Sequence, residues 1–385
     1  LDQEDGHWVY ASNLLRQLVA KDATSRYLIL LRTAKHAHLF DDLPNAVTEV
    51  ISARVKLWWD QVELAMAARR ARADIIFSPK FSMPLLSTKP SVFVLHGSDW
   101  YVNPSNYKWW DNLYIRLVMP LYCAAATRLV SISQCTTDDL VKYAHLDASK
   151  VTVTYAAPSP HFTAATDKSS LSEFAGRYKL PPRFILSVAR AYHTGHGRLP
   201  EYPGGNNERL VKGYQQYRAQ GGSLPLVIVG KNIKEYLQAR EFGENELQGI
   251  HFTGFIPHDE IVKVYNLAEF FVLVTLYESF GFPLVEAMAS GCPVIVSATG
   301  ACPEVAGGAA RLVDPYSSMA IAEAMSELDS SPAKRKSLRE AGLEVVRKFT
   351  WELTAERTLS VFDSIVPRAT KNSELTPKSL QPKVQ

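Results

Sequence analysis

The chain has 385 residues, 46% of them hydrophobic, with 42 Lys+Arg against 39 Asp+Glu. That length suggests two or three domains with sizeable cores, and a formal charge of +3 gives no polyanion-binding character, so nucleic acid is excluded as a partner. No apolar run approaches the roughly 18 residues of a membrane-spanning helix. The four cysteines, at 123, 135, 292 and 302, form no C-x-x-C pair and read as small buried hydrophobes in a reducing compartment. Leu1 opens the chain without a basic segment and following apolar run, which reads as a trimmed start.

In chain order, Trp8, Leu14, Leu15, Leu18 and Val19 give a helical stripe, then Tyr27 to Leu31 a strand. In an alternating α/β architecture a strand should precede so early a helix, and none is visible. Residues 47 to 73 read as one long helix with Trp58, Trp59, Val62 and Met66 near its apolar side. Short strands follow at Ile75–Phe77, Ser91–Leu95, Arg128–Ile132 and Lys150–Tyr155, separated by helical patterns, including one from about Trp109. Ser133 suits a helix cap, and Asp138 and Asp139 suit the first turns of that helix.

The Pro- and Ser-rich stretch 161–182 reads as a hinge between a first domain, 1–160, and a second, 183–350. The second domain repeats the alternation, with strands at Phe184–Val188, Leu226–Val229, Gly249–Phe252, Phe270–Val274 and Pro293–Val296. Residues 317 to 348 are helical, a last helix covers 351–366, and the polar tail 367–385 suits disorder. Two facing Rossmann-like halves would leave a cleft beyond the carboxyl ends of their strands, where His96 and Glu278 both fall.

The most informative stretch is Tyr277 to Met288, YESFGFPLVEAM. An apolar strand runs into a turn with Glu278 and Gly281, and Pro283 then stands at a first helical position. Glycine permits close backbone approach, and a helix N-terminus favours phosphate or hydroxyl oxygens. Glu286 lies between Val285 and Ala287 in an apolar helix, and a buried carboxylate without a partner is too costly to be idle.

These residues resemble those of the family 4 retaining glycosyltransferases, which have the two-domain GT-B fold. The resemblance is carried by GIHFTGFIP (249–257), ESFGFPLVE (278–286), AMASGCP (287–293), PEVAG (303–307) and Phe349-Thr350-Trp351, with VLHG (94–97) and SQCTTDDL (133–140) in the first half. It implies an α/β fold of two facing Rossmann-like domains, with the C-terminal helix crossing back to the N-terminal domain. It implies transfer of a sugar from a nucleotide-diphosphate donor with retention and no obligatory metal or other cofactor. By resemblance, Glu278 sits against the donor sugar, His96 over the reacting sugar, and Glu286 on the ribose hydroxyls. Gly281, Phe282, Pro283 and Leu284 would line the donor site at the helix start, with Phe255 and Ile256 beside them.

The family's phosphate-binding Arg finds a counterpart in Arg190, which would also serve catalysis. Its Lys has none, because GGNN (204–207) stands there after an insert bearing His193, His196 and Arg198; Arg198 or Lys231 is the candidate substitute. The first half most resembles bacterial mannosyltransferases, so GDP-mannose is the first donor to consider and a sugar or lipid-linked glycan the acceptor. Asp99 and Lys80 are candidate acceptor contacts. Aromatics beside Lys56, Lys108 and Arg116 suit peripheral contact with the cytoplasmic face of a membrane. Alternatives of other kinds are a non-catalytic nucleotide-sugar-binding subunit and a GT-B-fold nucleotide-sugar epimerase.

Overall fold

The computed structural model describes residues 6–165, 167, 169–189 and 204–366. Among these residues twelve strands run in chain order: β1 Tyr27–Leu31, β2 Ala46–Val50, β3 Ile76–Ser78, β4 Ser91–Leu95, β5 Arg128–Ser131, β6 Val151–Val153, β7 Ile185–Val188, β8 Leu226–Val229, β9 Ile250–Gly254, β10 Phe270–Leu273, β11 Val294–Ser297 and β12 Arg311–Val313. Every pairing among them is parallel. Parallel strands need crossovers, and the helices between them cover both faces. Accordingly β4, β8, β10 and β11 are buried at every residue.

The C-terminal sheet has the order β12-β11-β10-β7-β8-β9. The order reverses between β7 and β10, so a crevice opens beyond their carboxyl ends, the place where such sheets take ligands. Arg190 and the turn 275–281 follow those two strands. Arg190, with the insert residues His193, His196 and Arg198, lies outside the described residues.

The N-terminal half holds two sheets, β1-β2 and β3-β4-β5-β6, and among the described residues no strand joins them. The helix Gly6–Lys21 bridges them: the Trp8 ring lies 4.0 Å from that of His36, and Tyr10 packs on His96.

One expectation is corrected. Residues 47 to 73 are not a single helix, because Ala46–Val50 is a strand in register with Tyr27–Leu31. Val47, Thr48 and Val50 are β-branched and suit that pleated surface. Helix resumes at Lys56 and is interrupted by a π-helical stretch, Trp59–Glu63. That stretch carries Asp60, buried where Lys56, Lys80 and Ser82 all bond it. The helical region 317–348 is likewise two helices, Ser318–Ser330 and Pro332–Val346, divided where Ser331 caps the second and Pro332 opens it.

The final helix, Trp351–Ile365, returns to the N-terminal half. Trp351 Nε1 donates to Pro158 O at 3.0 Å, Thr354 Oγ1 to Tyr155 O, and Lys21 pairs with Glu356. Its inner side packs along the Gly6–Lys21 helix, with Tyr10 against Trp351.

Candidate active site

Beyond β10 the chain turns through Thr275–Phe280 into the helix Phe282–Ala289. Gly281 stands at the N-cap with φ 90° and ψ 64°, a left-handed conformation that glycine adopts without penalty, and Pro283 occupies the first turn. The helix ends at Ser290, and Gly291 and Cys292 return their N–H groups to Met288 O and Ala287 O. This start leaves backbone N–H groups and positive dipole aimed into the crevice. Gly6, at the start of the N-terminal helix, lies against the Phe282 ring, so two helix N-termini converge there.

Glu278 is held by its own backbone. Ala301 N donates to Glu278 O at 2.8 Å, and Gly300, at φ +59°, comes so near that an added Cβ would stand 2.6 Å from that carbonyl. Burial, then the nearby Asp99 carboxylate, push the Glu278 carboxyl up to about 7, against the smaller opposing effect of the Thr275 hydroxyl close by. Asp99 comes from the other half, so the two acids face each other across the cleft. Asp99 is itself raised by burial and partly restrained by bonds from Asn103 and Tyr107.

Glu286 lies one turn inside the helix, 6% exposed. Among the described residues its hydrogen-bond partner is Tyr265, whose hydroxyl donates to Oε2 at 3.5 Å, and burial raises the carboxyl to about 8. An acid kept in so apolar a place, with no cation beside it among the described residues, is set up to receive hydroxyl groups of a ligand.

His96 directly follows β4 and is buried. Its Nε2 lies 3.0 Å from Pro79 O, which requires the proton on that nitrogen, and its ring sits among His7, Tyr10 and Phe81. Lys231 follows β8 and lies over the exposed Phe255 ring at 4.5 Å, whereas Ile256 is in the core. Lys80 is bonded to Asp60, and burial lowers it to about 8.

Contacts across the cleft hold the two halves together. Tyr277 Oη donates to Asp139 Oδ2 at 2.6 Å and is paired at 2.6 Å with Ser98 Oγ. Ser133 Oγ donates to Ser279 O, while the N–H groups of Gln134 and Cys135 donate to the Glu304 carboxylate. Glu304 thus caps a helix of the opposite half. Gly97 permits the approach, since a Cβ there would fall 2.3 Å from Ser279 Oγ.

With this geometry in place, comparison with known proteins is direct. A family model described as Glycosyltransferase Family 4 matches residues 5–157, and one described as Glycosyl transferases group 1 matches residues 197–345. The chain belongs to the family 4 glycosyltransferases. A serotype-specific mannosyltransferase, WbdA, of Escherichia coli is 28% identical over 249 residues, covering 63% of this chain and 29% of its own length. The chain therefore spans less than a third of that relative. A D-inositol 3-phosphate glycosyltransferase of Corynebacterium diphtheriae is 34% identical over 240 residues, 59% of this chain and 53% of the relative.

Among solved structures, a glycosyltransferase from Rickettsia africae superposes with a TM-score of 0.72 at 16% identity, covering 96% of both chains. HepE of Anabaena, solved with UDP and glucose, gives 0.71 at 16% identity over 94% of this chain and 97% of its own. These likenesses establish the GT-B fold for this chain.

Of the residues singled out in the sequence, the fold gathers Glu278, Gly281, Phe282, Pro283, Leu284 and Glu286 on one turn and helix. It places Phe255 and Lys231 beyond the neighbouring strands. Sequence reasoning missed Gly300, Tyr277, Ser98 and Glu304. For Gly300, the glycine after Ser297-Ala298-Thr299 was a usable turn signal; the others act through contacts between distant segments.

Proposed function

We propose that the chain is a retaining hexosyltransferase that uses a nucleotide-diphosphate sugar, with GDP-mannose the first donor to test, and a sugar or lipid-linked glycan as acceptor. The observation that carries this reading is the pair of raised carboxyls, Glu278 and Glu286, on either side of one helix N-terminus. Their separation along the helix suits the two ends of one donor. Glu286 would accept the ribose hydroxyls, the N–H groups around Gly281 and Phe282 would face the diphosphate, and Glu278 would contact the hexose.

In this scheme the anomeric C–O bond to the diphosphate breaks as a bond to the acceptor oxygen forms. The acceptor's proton passes to the departing phosphate oxygen on the same face, which gives retention. Charge growing on the diphosphate is stabilised by the helix N-terminus and by Arg190, with Arg198 or Lys231 as second cation, so that no metal is required. Positive character at the anomeric carbon is favoured by the ionised form of Glu278. His96, its proton on Nε2 fixed toward Pro79, would present the rest of its ring to the sugar.

The relatives named mannosyltransferases support the choice of sugar, and the solved HepE complex supports a nucleotide donor. Incubation with GDP-, UDP- and ADP-sugars, followed by release of nucleotide and NMR of the product's anomeric centre, tests the proposal. Retained configuration with GDP-mannose and a glycan acceptor is expected. Donor binding without release would instead favour a binding subunit, and isomerised donor without acceptor an epimerase. An Arg190→Ala variant with unchanged donor KM and kcat would remove that residue from the scheme.

A further inference from the structure

The helix Trp109–Ala125 is built the opposite way to an ordinary surface helix. Its inward side, Met119, Tyr122 and Cys123, joins the core around Phe93 and Leu129. The other side of such a helix should be polar. Here Trp110, Leu113, Tyr114, Leu117 and Leu121 recur at three- and four-residue steps and are all at least half exposed, with Leu117 at 62% and the adjoining Trp109 at 71%. The only charged residues of the helix are Asp111 and Arg116, and neither falls within that stripe at 3.6 residues per turn.

Further exposed apolar residues are tethered beside the helix. Gln61 Nε2 bonds Met83 O at 2.9 Å and Tyr122 Oη at 3.4 Å, and its Oε1 accepts from Leu85 N. That amide ties to the helix the turn bearing exposed Leu86 and the segment bearing exposed Leu57 and Trp58. Cations flank the patch. Lys108 lies over the Trp110 ring, Arg116 over Tyr101, and Lys56 and Arg54 are exposed. The acids beside it are Asp111, Glu63, bonded by Trp58 Nε1, and the buried Asp60, which pairs with Lys56 and Lys80.

We infer that this face is a docking surface for an anionic lipid bilayer, with Trp109, Trp110 and Lys108 at headgroup level and the leucine stripe against the acyl chains. Indole rings beside cations suit the boundary between headgroups and hydrocarbon, and anionic lipid neutralises the flanking charges. Two-fold pairing with a second copy would instead set one positively rimmed face against another. Two residues before the helix, Tyr107 donates to Asp99, which faces Glu278. The docked face therefore adjoins the cleft and would deliver a membrane-held acceptor to it, a consequence that rests on the glycosyl-transfer reading.

Flotation of the full chain with phosphatidylcholine vesicles, with or without about 30 mol% phosphatidylglycerol, tests the surface. Binding favouring the anionic vesicles, weakened by salt and accompanied by a blue shift of tryptophan emission, is expected. The paired change Leu113→Gln and Leu117→Gln, both at exposed positions, should lower partitioning roughly tenfold or more while leaving the melting temperature in place. Lys108→Gln with Arg116→Gln should remove the anionic preference. Absence of binding to either vesicle, or a dimer in sedimentation that the leucine changes dissociate, would overturn the inference. Flotation reads no turnover: a chain that floats but transfers no sugar keeps the surface and loses the function, and one that glycosylates a soluble acceptor without floating does the reverse.

Discussion

Replacing Glu286 by Gln should stabilise the empty protein and weaken donor binding in the same variant. The wild-type carboxyl is raised from an ordinary value near 4.5 to about 8 by burial. Between those values the folded chain holds a proton that the unfolded chain has released. Stability therefore falls as pH rises through that window, by about 1.4 kcal/mol per pH unit. Gln keeps the shape and the acceptor oxygen for Tyr265 without the ionisation. Its advantage over the wild type should be under about 1 kcal/mol at pH 5, about 3 kcal/mol at pH 7 and roughly 5 kcal/mol above pH 8. If the carboxylate receives the ribose hydroxyls, its loss exchanges charge-assisted bonds for neutral ones, and donor dissociation should rise about tenfold. Urea denaturation across pH and calorimetric titration with the donor nucleotide measure the two effects. A Gln variant with the same stability offset at pH 5 and pH 8.5 would mean that the carboxyl is charged and paired in the fold, and the reasoning would fail.

Glu278→Gln should lower kcat by about 10²- to 10³-fold with little change in donor affinity, the opposite division from Glu286. The wild-type kcat/KM should rise with pH through about 7 as the Glu278 proton is lost, and a limb that survives in the Gln variant would assign it elsewhere. Tyr277→Phe leaves Ser98 bonded to Asp139 but removes the hydroxyl that joins them to the other half. Closure should weaken by about 1–3 kcal/mol, seen as a larger radius of gyration in X-ray scattering and a raised donor KM; unchanged values in both would refute it. Gly300→Ala places a Cβ against the Glu278 carbonyl at a left-handed φ, and roughly 2–4 kcal/mol of stability should be lost in chemical denaturation. A neutral result would show that the turn can shift away from Glu278 freely.

The donor half was readable in the sequence because its signals are local. Phe270 to Leu276 is long, apolar and followed by Gly281 and Pro283, so strand, turn and helix start each declare themselves within about a dozen residues. Ala46–Val50 did not, since its burial is only partial and its alternation blends into the helical pattern beginning at Lys56. The contacts that close the cleft were out of reach for a different reason. Tyr277 meets Asp139 over 138 positions and Glu304 caps Gln134 over 170. No periodicity spans such distances. Asp139, at a place suited to the helix dipole, instead accepts from Tyr277 and Ser98.

The returning helix Trp351–Ile365 has a bearing on how this protein can be recombined. By chain position it belongs to the donor half, yet Trp351, Thr354 and Glu356 all bond residues of the other half. A chimera joined at the hinge alone would pair the helix Gly6–Lys21 with a foreign cover, leaving Tyr10 and Leu14 to fit side chains they were not shaped for. Exchange of donor halves between relatives therefore needs two junctions, the second just before Thr350, so that the last helix travels with the beginning of the chain.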